Sequence, residues 1–171
     1  MSIRNLDSLF DPTSIAVFGA SEREGSVGAT AWRNLTQGSY KGALYAVNPK
    51  LPKLTGYTVV SNASDLPAVP DLAVICTPAS TVVDLITQLA ALGTRAAVVL
   101  TAGMTREQKQ AMLDAAKPQL LRILGPNCIG FLSPHIGLNA SFTHTNAIPG
   151  ELAFVSQSGA LVTAMLDWSQ G

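Results

Sequence analysis

Short apolar runs alternate with stretches of helical periodicity along most of this chain of 171 residues. Each run is followed by a turn of small or polar residues, and the runs fall at 15–18, 44–47, 72–76, 96–100 and 123–124. A short run without polar alternation is typical of a strand covered on both faces. Repeated strand–helix units therefore predict an α/β fold with a doubly wound, mostly parallel sheet and right-handed crossovers.

Composition supports a well-buried domain and excludes several classes of protein. Hydrophobic residues make up 47% of the chain and charged residues 13%, with a formal net charge of zero, so no nucleic-acid surface is predicted. No apolar stretch approaches the roughly 20 residues that span a bilayer, and residues 1–5 lack the apolar core of a signal peptide. Cys76 and Cys128 are too few for a disulfide framework and favour reduced thiols in the cytoplasm.

The loops with the most distinctive residues all follow predicted strands. They cover 19–28, 48–50, 77–80, 101–103 and 126–130. Ligands of open α/β sheets bind outside the carboxyl ends of the strands, where the strand order reverses. We therefore expect one binding site, built from several of these loops.

The first loop, 19–28, differs from the dinucleotide fingerprint G-x-G-x-x-G. Ser21 stands at the second glycine, and the spacing to Gly25 is longer. Gly19 suits the tight turn off the strand, Gly25 permits close backbone approach, and Ser26 opens a helix whose N–H groups favour phosphate. No Gly-Lys-Ser/Thr follows, so the loop is not a Walker A motif. A glycine-rich turn without a ligand is the alternative.

Lys50 ends the tripeptide Asn48-Pro49-Lys50 after the second predicted strand. A dinucleotide-binding domain would carry an acid here for the ribose 2′-hydroxyl, so an NAD-dependent oxidoreductase is disfavoured. A cation suits a ligand with an extra phosphate near its ribose, and coenzyme A has one on the 3′ oxygen. The alternative is an ordinary exposed lysine.

The remaining loops carry weaker signals. Residues 76–80 and 101–103 offer small groups for an adenine or pantetheine groove, or are simply capped strand-to-helix turns. Asn127 tolerates unusual backbone angles. Cys128 has no histidine near it in sequence and is not predicted to be a nucleophile. His135 and His144 have no partners at metal-ligand spacing, so no metal site is predicted.

The last part of the chain predicts a second domain. Residues 131–150 suggest a linker or hairpin, 152–155 a new strand, and 156–159 the start of a helix with Leu161, Met165 and Trp168 on one face. We therefore divide the chain into one domain at 1–145 and a linker with the truncated start of another α/β domain at 146–171.

Several motifs together resemble a known family. They are 14–21, 48–50, 71–78, 124–130, 137–142 and 153–159. In order and type they resemble the N-terminal, Rossmann-like CoA-binding region of NDP-forming acyl-CoA synthetases, which include ADP-forming acetate–CoA ligase and are related to the succinyl-CoA synthetase α subunit. The ligase-like region of Pat-type protein lysine acetyltransferases, which carry a GNAT domain, shares the resemblance. A stand-alone CoA-binding regulatory protein is a third alternative.

The resemblance implies a site for coenzyme A or acyl-CoA at the strand ends. Its phosphate-side loop would comprise Gly19, Ala20, Ser21, Gly25 and Ser26. Lys50 would meet the CoA phosphates, either the 3′-phosphate or the pyrophosphate.

The rest of the coenzyme would be met by the later loops. Thr77 and Pro78 would flank the adenine, and Asn127 would lie near the thiol end. The pantetheine side would be formed by Thr101, Ala102 and Gly103. Ala102 stands where the family carries an acid.

The resemblance also implies chemistry that other domains complete. Ser158 and Gly159 would open a second, ligase-CoA and flavodoxin-like domain and stabilise a phosphohistidine. The catalytic histidine is expected beyond Gly171, so this chain alone should bind CoA without turnover. ATP or ADP and Mg²⁺ would act through further ligase domains of the ATP-grasp type, in the same chain or a partner subunit, and acyl-CoA would form through an acyl phosphate.

Overall fold

A computed structural model describes residues 3–171. The helices are α1 (Leu6–Phe10), α2 (Val27–Gln37), α3 (Ala79–Leu92), α4 (Arg106–Ala116) and α5 (Gly159–Trp168). The strands are β1 (Ser14–Phe18), β2 (Ala43–Val47), β3 (Lys53–Leu54), β4 (Tyr57–Val60), β5 (Leu72–Ile75), β6 (Ala96–Val99), β7 (Arg122–Leu124), β8 (Gly130–Ser133) and β9 (Leu138–Ser141).

Seven strands form one sheet in the order β3-β4-β2-β1-β5-β6-β7. All neighbours are parallel except β3 and β4, which pair antiparallel at the edge. The chain moves outward from β1 in one direction and then returns to add β5, β6 and β7 on the other side. The predicted doubly wound, Rossmann-like α/β class is therefore confirmed, with the reversal between β1 and β5.

The centre of the sheet is buried on both faces. Along β1, Ile15 and Val17 face the layer that contains α2, whereas Ala16 and Phe18 face the layer that contains α3 and α4. The residues of β5 are likewise buried throughout. This double burial explains why the central strands are continuous apolar runs and lack the alternation of a half-exposed strand.

Local capping chemistry fixes the helix ends. Thr105 and Gln108 form a capping box at α4, and Gly93 ends α3 in the left-handed conformation at φ +97°. Gly38 follows α2, but its backbone is extended and not left-handed. A Cβ there would lie 3.0 Å from the carbonyl oxygen of Gly137, so close approach to the β8–β9 turn favours this glycine.

The strand predicted at 152–155 is not formed. The segment has no strand pairing, and Leu152 and Val155 are 73% and 95% exposed. The sequence motif is apolar, but a strand also needs a neighbouring strand edge to bond its backbone groups. Helix α5 does form, although Leu161 and Trp168 of its predicted buried face are exposed and Leu166 is buried instead.

Other local differences are smaller. The predicted linker or hairpin at 131–150 contains the antiparallel pair β8–β9, which packs against α2. The turn-rich segment 51–70 holds two short strands, β3 and β4, together with a helical turn at Ala63–Asp65. Helix α1 was not predicted because it spans only five residues.

Candidate functional site

The predicted loops meet at the carboxyl edge of the sheet, where β1 and β5 separate two sets of strands. The loops after β1 and β2 lie on one side, and those after β5, β6 and β7 lie on the other. Hydrogen bonds connect the loops within each side. The sheet therefore presents two rigid half-sites on either side of the reversal of strand order.

Gly19 and Gly28 allow α2 to begin very close to the end of β1. Gly19 has φ +86°, a conformation that side chains disfavour, and its N–H donates to the carbonyl of Val47 at 2.9 Å. A Cβ on Gly28 would overlap the carbonyl oxygen of Gly19. We did not assign Gly28 a role from the sequence, although it occupies the helix-packing place of the fingerprint's last glycine.

The loop between these glycines is shaped by its own hydroxyl groups. Ser21 Oγ accepts from the N–H of Arg23 at 2.9 Å. Ser26 caps α2, accepting from the Ala29 N–H at 3.1 Å and donating to the Arg23 carbonyl at 2.8 Å. Gly25 has φ +75° and open space around it. The helix N-terminus behind this open turn supplies the partial positive charge and N–H groups that suit a phosphate.

Asn48 holds the second loop against the first. Its Nδ2 donates to the Ala20 carbonyl at 2.9 Å, and its Oδ1 accepts from the Lys50 N–H at 2.9 Å. One side chain thus bridges the phosphate-type loop and the backbone of Lys50. The Lys50 side chain is exposed at this corner, so a cation stands beside the glycine loop.

Glu22 makes a second link across the same corner. Its Oε1 accepts from the Thr55 N–H at 2.8 Å, which attaches the loop to the β3–β4 turn. Hydrogen bonding to Thr55 lowers the pKa of Glu22 below its ordinary value. This contact was not predicted, because the two residues are 33 positions apart and no local pattern relates them.

The later loops form the second half-site. Thr101 Oγ1 donates to the Thr77 carbonyl at 2.7 Å, and the Asn127 N–H donates to the Thr101 carbonyl at 3.0 Å. Asn127 has φ +55°, as the residue type allows. Pro78, Ala102 and Gly103 are exposed beside these contacts. Backbone and small side chains therefore dominate this wall, which suits an elongated, weakly polar ligand segment.

Neither thiol at this edge is activated. Burial, with a smaller contribution from Cys128, raises the pKa of Cys76 to about 12. Burial also raises the pKa of Cys128, whose Sγ donates to the Val99 carbonyl at 3.4 Å. Both cysteines are free. Since the thiolate is the reactive form, these values agree with the prediction that Cys128 is not a nucleophile.

The start of α5 lies beside the second half-site. Ser158 caps the helix by accepting from the Leu161 N–H at 3.4 Å. A Cβ on Gly159 would lie 3.7 Å from the Cβ of Ile129, in the loop that follows β7. The structure thus brings Ser158 and Gly159 towards Asn127, although about 30 residues separate them in sequence.

The part of the chain that the structure describes also contains a cavity away from this edge. A cavity of about 170 Å³ lies between the end of α2 and the β8–β9 turn, lined by Gly38, Gly137 and Asn146 among others. It is at the opposite end of α2 from the glycine loop, so it is not the predicted site. Within residues 3–171 there is no metal-type cluster of three or more His, Cys, Asp or Glu, and no helix is long and apolar enough to cross a membrane.

These features define a Rossmann-type α/β domain with a phosphate-compatible loop, a cation in place of the usual acid, and a second wall of backbone and small groups. A sequence profile described as a CoA binding domain matches residues 13–134. The chain therefore belongs to the CoA-binding domain family.

Relatives with established names agree with this assignment. The chain is 34% identical over 171 residues to acetate–CoA ligase [ADP-forming] I of Archaeoglobus fulgidus, covering 96% of this chain and 25% of that protein. It is 33% identical to the α subunit of acetate–CoA ligase [ADP-forming] I of Pyrococcus furiosus, covering 96% of this chain and 38% of the subunit. The chain thus spans about a quarter to two fifths of the length of these relatives.

A solved structure shows the same architecture. The dinucleotide forming acetyl-coenzyme A synthetase 1 of Ca. Korarchaeum cryptofilum, in complex with phosphate and ADP, superposes with a TM-score of 0.90 at 36% identity. The match covers 95% of this chain and 36% of that chain. The resemblance to ADP-forming acyl-CoA synthetases proposed from the motifs is therefore confirmed.

Proposed function

We propose that this chain holds coenzyme A for an ADP-forming acyl-CoA synthetase, with an activity of the acetate–CoA ligase type named for several of its relatives. The observation that supports this most directly is the Asn48 bridge, which joins the glycine loop to the backbone of Lys50. The bridge brings a helix N-terminus and a lysine to one corner. That corner suits a nucleotide with both a pyrophosphate and a ribose phosphate.

The residues fit coenzyme A as a ligand. Gly25 leaves open space in front of Ser26 and the start of α2. There the pyrophosphate would accept hydrogen bonds from the N–H groups of the helix start and lie against Gly19, Ala20 and Ser21. Lys50 follows β2, the ribose side of such a fold, so we assign it to the 3′-phosphate. Coenzyme A supplies the thiol that accepts the acyl group.

The second half-site would hold the rest of the coenzyme. Thr77 and Pro78 would flank the adenine, and the turn Thr101, Ala102 and Gly103 would run beside the pantetheine. Asn127 would lie near the thiol end, where the unreactive Cys128 leaves the coenzyme as the nucleophile. Ala102 adds no charge to this wall, so we assign it no ionic contact with the coenzyme.

The remaining chemistry would belong to other parts of the synthetase. We assign 1–145 to the CoA-binding domain and 146–171 to the beginning of the next domain, because the apolar segment 152–155 is exposed and unpaired. In the longer protein these residues should become a strand, seen as slowed amide exchange. Ser158 and Gly159 would stabilise a phosphohistidine, while an ATP-grasp domain would bring ATP or ADP and Mg²⁺. Free thiols at Cys76 and Cys128 fit a reducing cytoplasm.

Isothermal calorimetry with CoA and NAD⁺ tests the proposal. We expect CoA to bind at least about tenfold more tightly, since one charge-assisted phosphate contact contributes on the order of 1.5–3 kcal/mol. Acetyl-CoA should bind comparably, because the acyl group adds no phosphate. Equal or tighter binding of NAD⁺ would overturn the assignment in favour of a dinucleotide.

A further inference from the structure

A buried polar network lies near the C-terminal end of α2, away from the glycine loop, and is not accounted for by CoA binding. Asn139, Ser141 and Thr143 are at most 4% exposed, although their side chains are polar. They belong to the end of β9 and the segment that follows it. We call residues 139–146 the polar strap. Burying this many polar groups costs stability unless all are bonded, so their arrangement calls for a physical explanation.

The buried polar side chains of the strap all have hydrogen-bond partners. Asn139 Nδ2 donates to Asn146 Oδ1, and Ser141 Oγ donates to Asn139 Oδ1. Thr143 Oγ1 lies 2.8 Å from Ser141 Oγ and donates to the Thr145 carbonyl at 3.0 Å. A satisfied buried network of this kind has few alternative arrangements, so it behaves as a rigid unit.

Helix α2 is hydrogen-bonded to one side of the strap. Asn34 Nδ2 donates to the carbonyls of Ser141 and Thr143, at 3.0 and 2.9 Å. The same helix begins at the glycine loop, with Gly28 against Gly19. Two turns of helix therefore separate the phosphate-type loop from the strap, and a ligand that fixes the start of α2 also restrains Asn34.

Helix α5 is attached to the other side. Thr145 Oγ1 donates to Asp167 Oδ1 at 3.4 Å, and Gln170 Nε2 donates to the Asn146 carbonyl at 3.0 Å. Both contacts lie at the C-terminal end of α5, whereas its N-terminal end lies against Ile129. The strap is thus a continuous set of hydrogen bonds from α2 to α5.

We propose that the polar strap couples occupancy of the CoA site to the position of α5, and that Asn34 and Thr143 are positioning residues for the phosphoryl-side helix start at Ser158. The inference rests on the proposed function, since the ligand that restrains α2 is coenzyme A. Binding of CoA would stabilise α2, and the strap would transmit that restraint to α5. Contiguous networks of this kind typically modulate coupling by roughly two- to thirtyfold in an equilibrium.

Amide hydrogen exchange with and without saturating CoA tests the coupling. In the wild-type chain we expect CoA to slow exchange at the C-terminal end of α5, 166–170, by at least about twofold. Thr143→Val keeps the side-chain shape but removes the hydroxyl, and it should abolish this slowing. Thr143→Ser restores the hydroxyl and should restore the effect. Thr87→Val, which removes a hydroxyl bonded only to Val83 of its own helix, is the matched control and should behave as wild type.

A second variant keeps the test decisive if Thr143→Val fails to fold. Thr145→Val combined with Gln170→Ala removes the two α5 contacts at less buried positions and should also abolish the slowing. Persistence of the full effect in this double variant, or no effect of CoA on α5 in wild type, would overturn the coupling. Calorimetry on the same samples separates the failures: CoA that does not bind contradicts the proposed function, whereas CoA that binds without affecting α5 contradicts only the strap.

Discussion

At the scale of single residues, the site depends on positions where the absence or the charge of a side chain matters more than its size. Gly28 is needed because a Cβ would overlap the Gly19 carbonyl oxygen. Lys50 is informative because it replaces an acid at a fixed place in the fold. Asn48 connects the glycine loop to Lys50, because its side chain bonds the Ala20 carbonyl and the Lys50 N–H at the same time. The roles of Gly28 and Asn48 depend on contacts with backbone atoms, which sequence motifs describe only indirectly.

Lys50→Ala should weaken CoA binding by on the order of 1.5–3 kcal/mol, because one charge-assisted contact is lost. Dephospho-CoA, which lacks the 3′-phosphate, should bind the variant and the wild type about equally. Calorimetry with both ligands provides the comparison. Lys109→Ala on the exposed surface of α4 is the matched control. Equal losses for the two ligands would assign Lys50 to the pyrophosphate.

Gly28→Ala should reduce the free energy of unfolding by about 1–3 kcal/mol, since the added methyl forces α2 away from β1. CoA affinity should fall with it, because the same displacement opens the glycine loop. Urea unfolding and calorimetry measure the two effects. Gly150→Ala, where an added Cβ meets nothing within 4 Å, should leave both unchanged. A fully stable Gly28→Ala variant would contradict the close packing.

At the scale of secondary-structure elements, α2 combines structural and binding roles along its length. Its first turn is capped by Ser26 and faces the glycine loop, its middle buries Trp32 and Leu35, and its Asn34 holds the strap. The sequence predicted the cap and part of the buried face. The hydrogen bonds from Asn34 reach residues more than 100 positions away, and no local sequence pattern predicts them.

Substitutions of the α2 cap can separate these roles. Ser26→Ala should lower the free energy of unfolding by about 1 kcal/mol through loss of the cap. Ser26→Asp restores a capping oxygen and should recover the stability, but its negative charge should repel the phosphates and weaken CoA binding further. Urea unfolding and CoA titration distinguish the variants. Thr105→Ala removes the cap of α4, in the other half-site and away from the glycine loop, and should cost similar stability without the loss of CoA affinity caused by Ser26→Asp. Tight CoA binding by Ser26→Asp would exclude phosphate from this helix start.

At the scale of the whole molecule, packing on both faces of the sheet determines which side chains are buried. The sequence alone did not determine this for the two cysteines or for 152–155. Burial raises the pKa values of the Cys76 and Cys128 thiols, which favours their protonated forms. The segment 152–155, predicted as a strand, is exposed and has no neighbouring strand edge to pair with. The acetyltransferase and stand-alone alternatives stay predictions, because both share this domain and differ only in what accompanies it.

Alkaline pH should destabilise the fold. The pKa of Cys76 is raised from about 9 to about 12 by burial, and that of Tyr40 from about 10 to about 12 by burial with Asp71 and Asp11 nearby. The unfolded chain therefore loses these protons first, so stability is full below pH 9 and falls as pH rises towards 12. Urea unfolding at pH 8 and pH 10.5 should show the loss, and Cys76→Ala should reduce it. An equally steep loss in Cys76→Ala and Tyr40→Phe would assign it to other groups.

The sequence by itself determined what depends on neighbouring residues: five of the seven strands of the main sheet, the helix starts at Ser26 and at 156–159, and the loops at the carboxyl edge. These follow from burial periodicity and local hydrogen bonding, which act over a few positions. Tertiary structure decided the contacts between distant segments: Gly28 against Gly19, Glu22 on Thr55, the strap beneath Asn34, and the exposure of 152–155. Such contacts form only when segments that are distant in sequence lie side by side. In this chain, the packing of both helix layers on one sheet determines which segments do so.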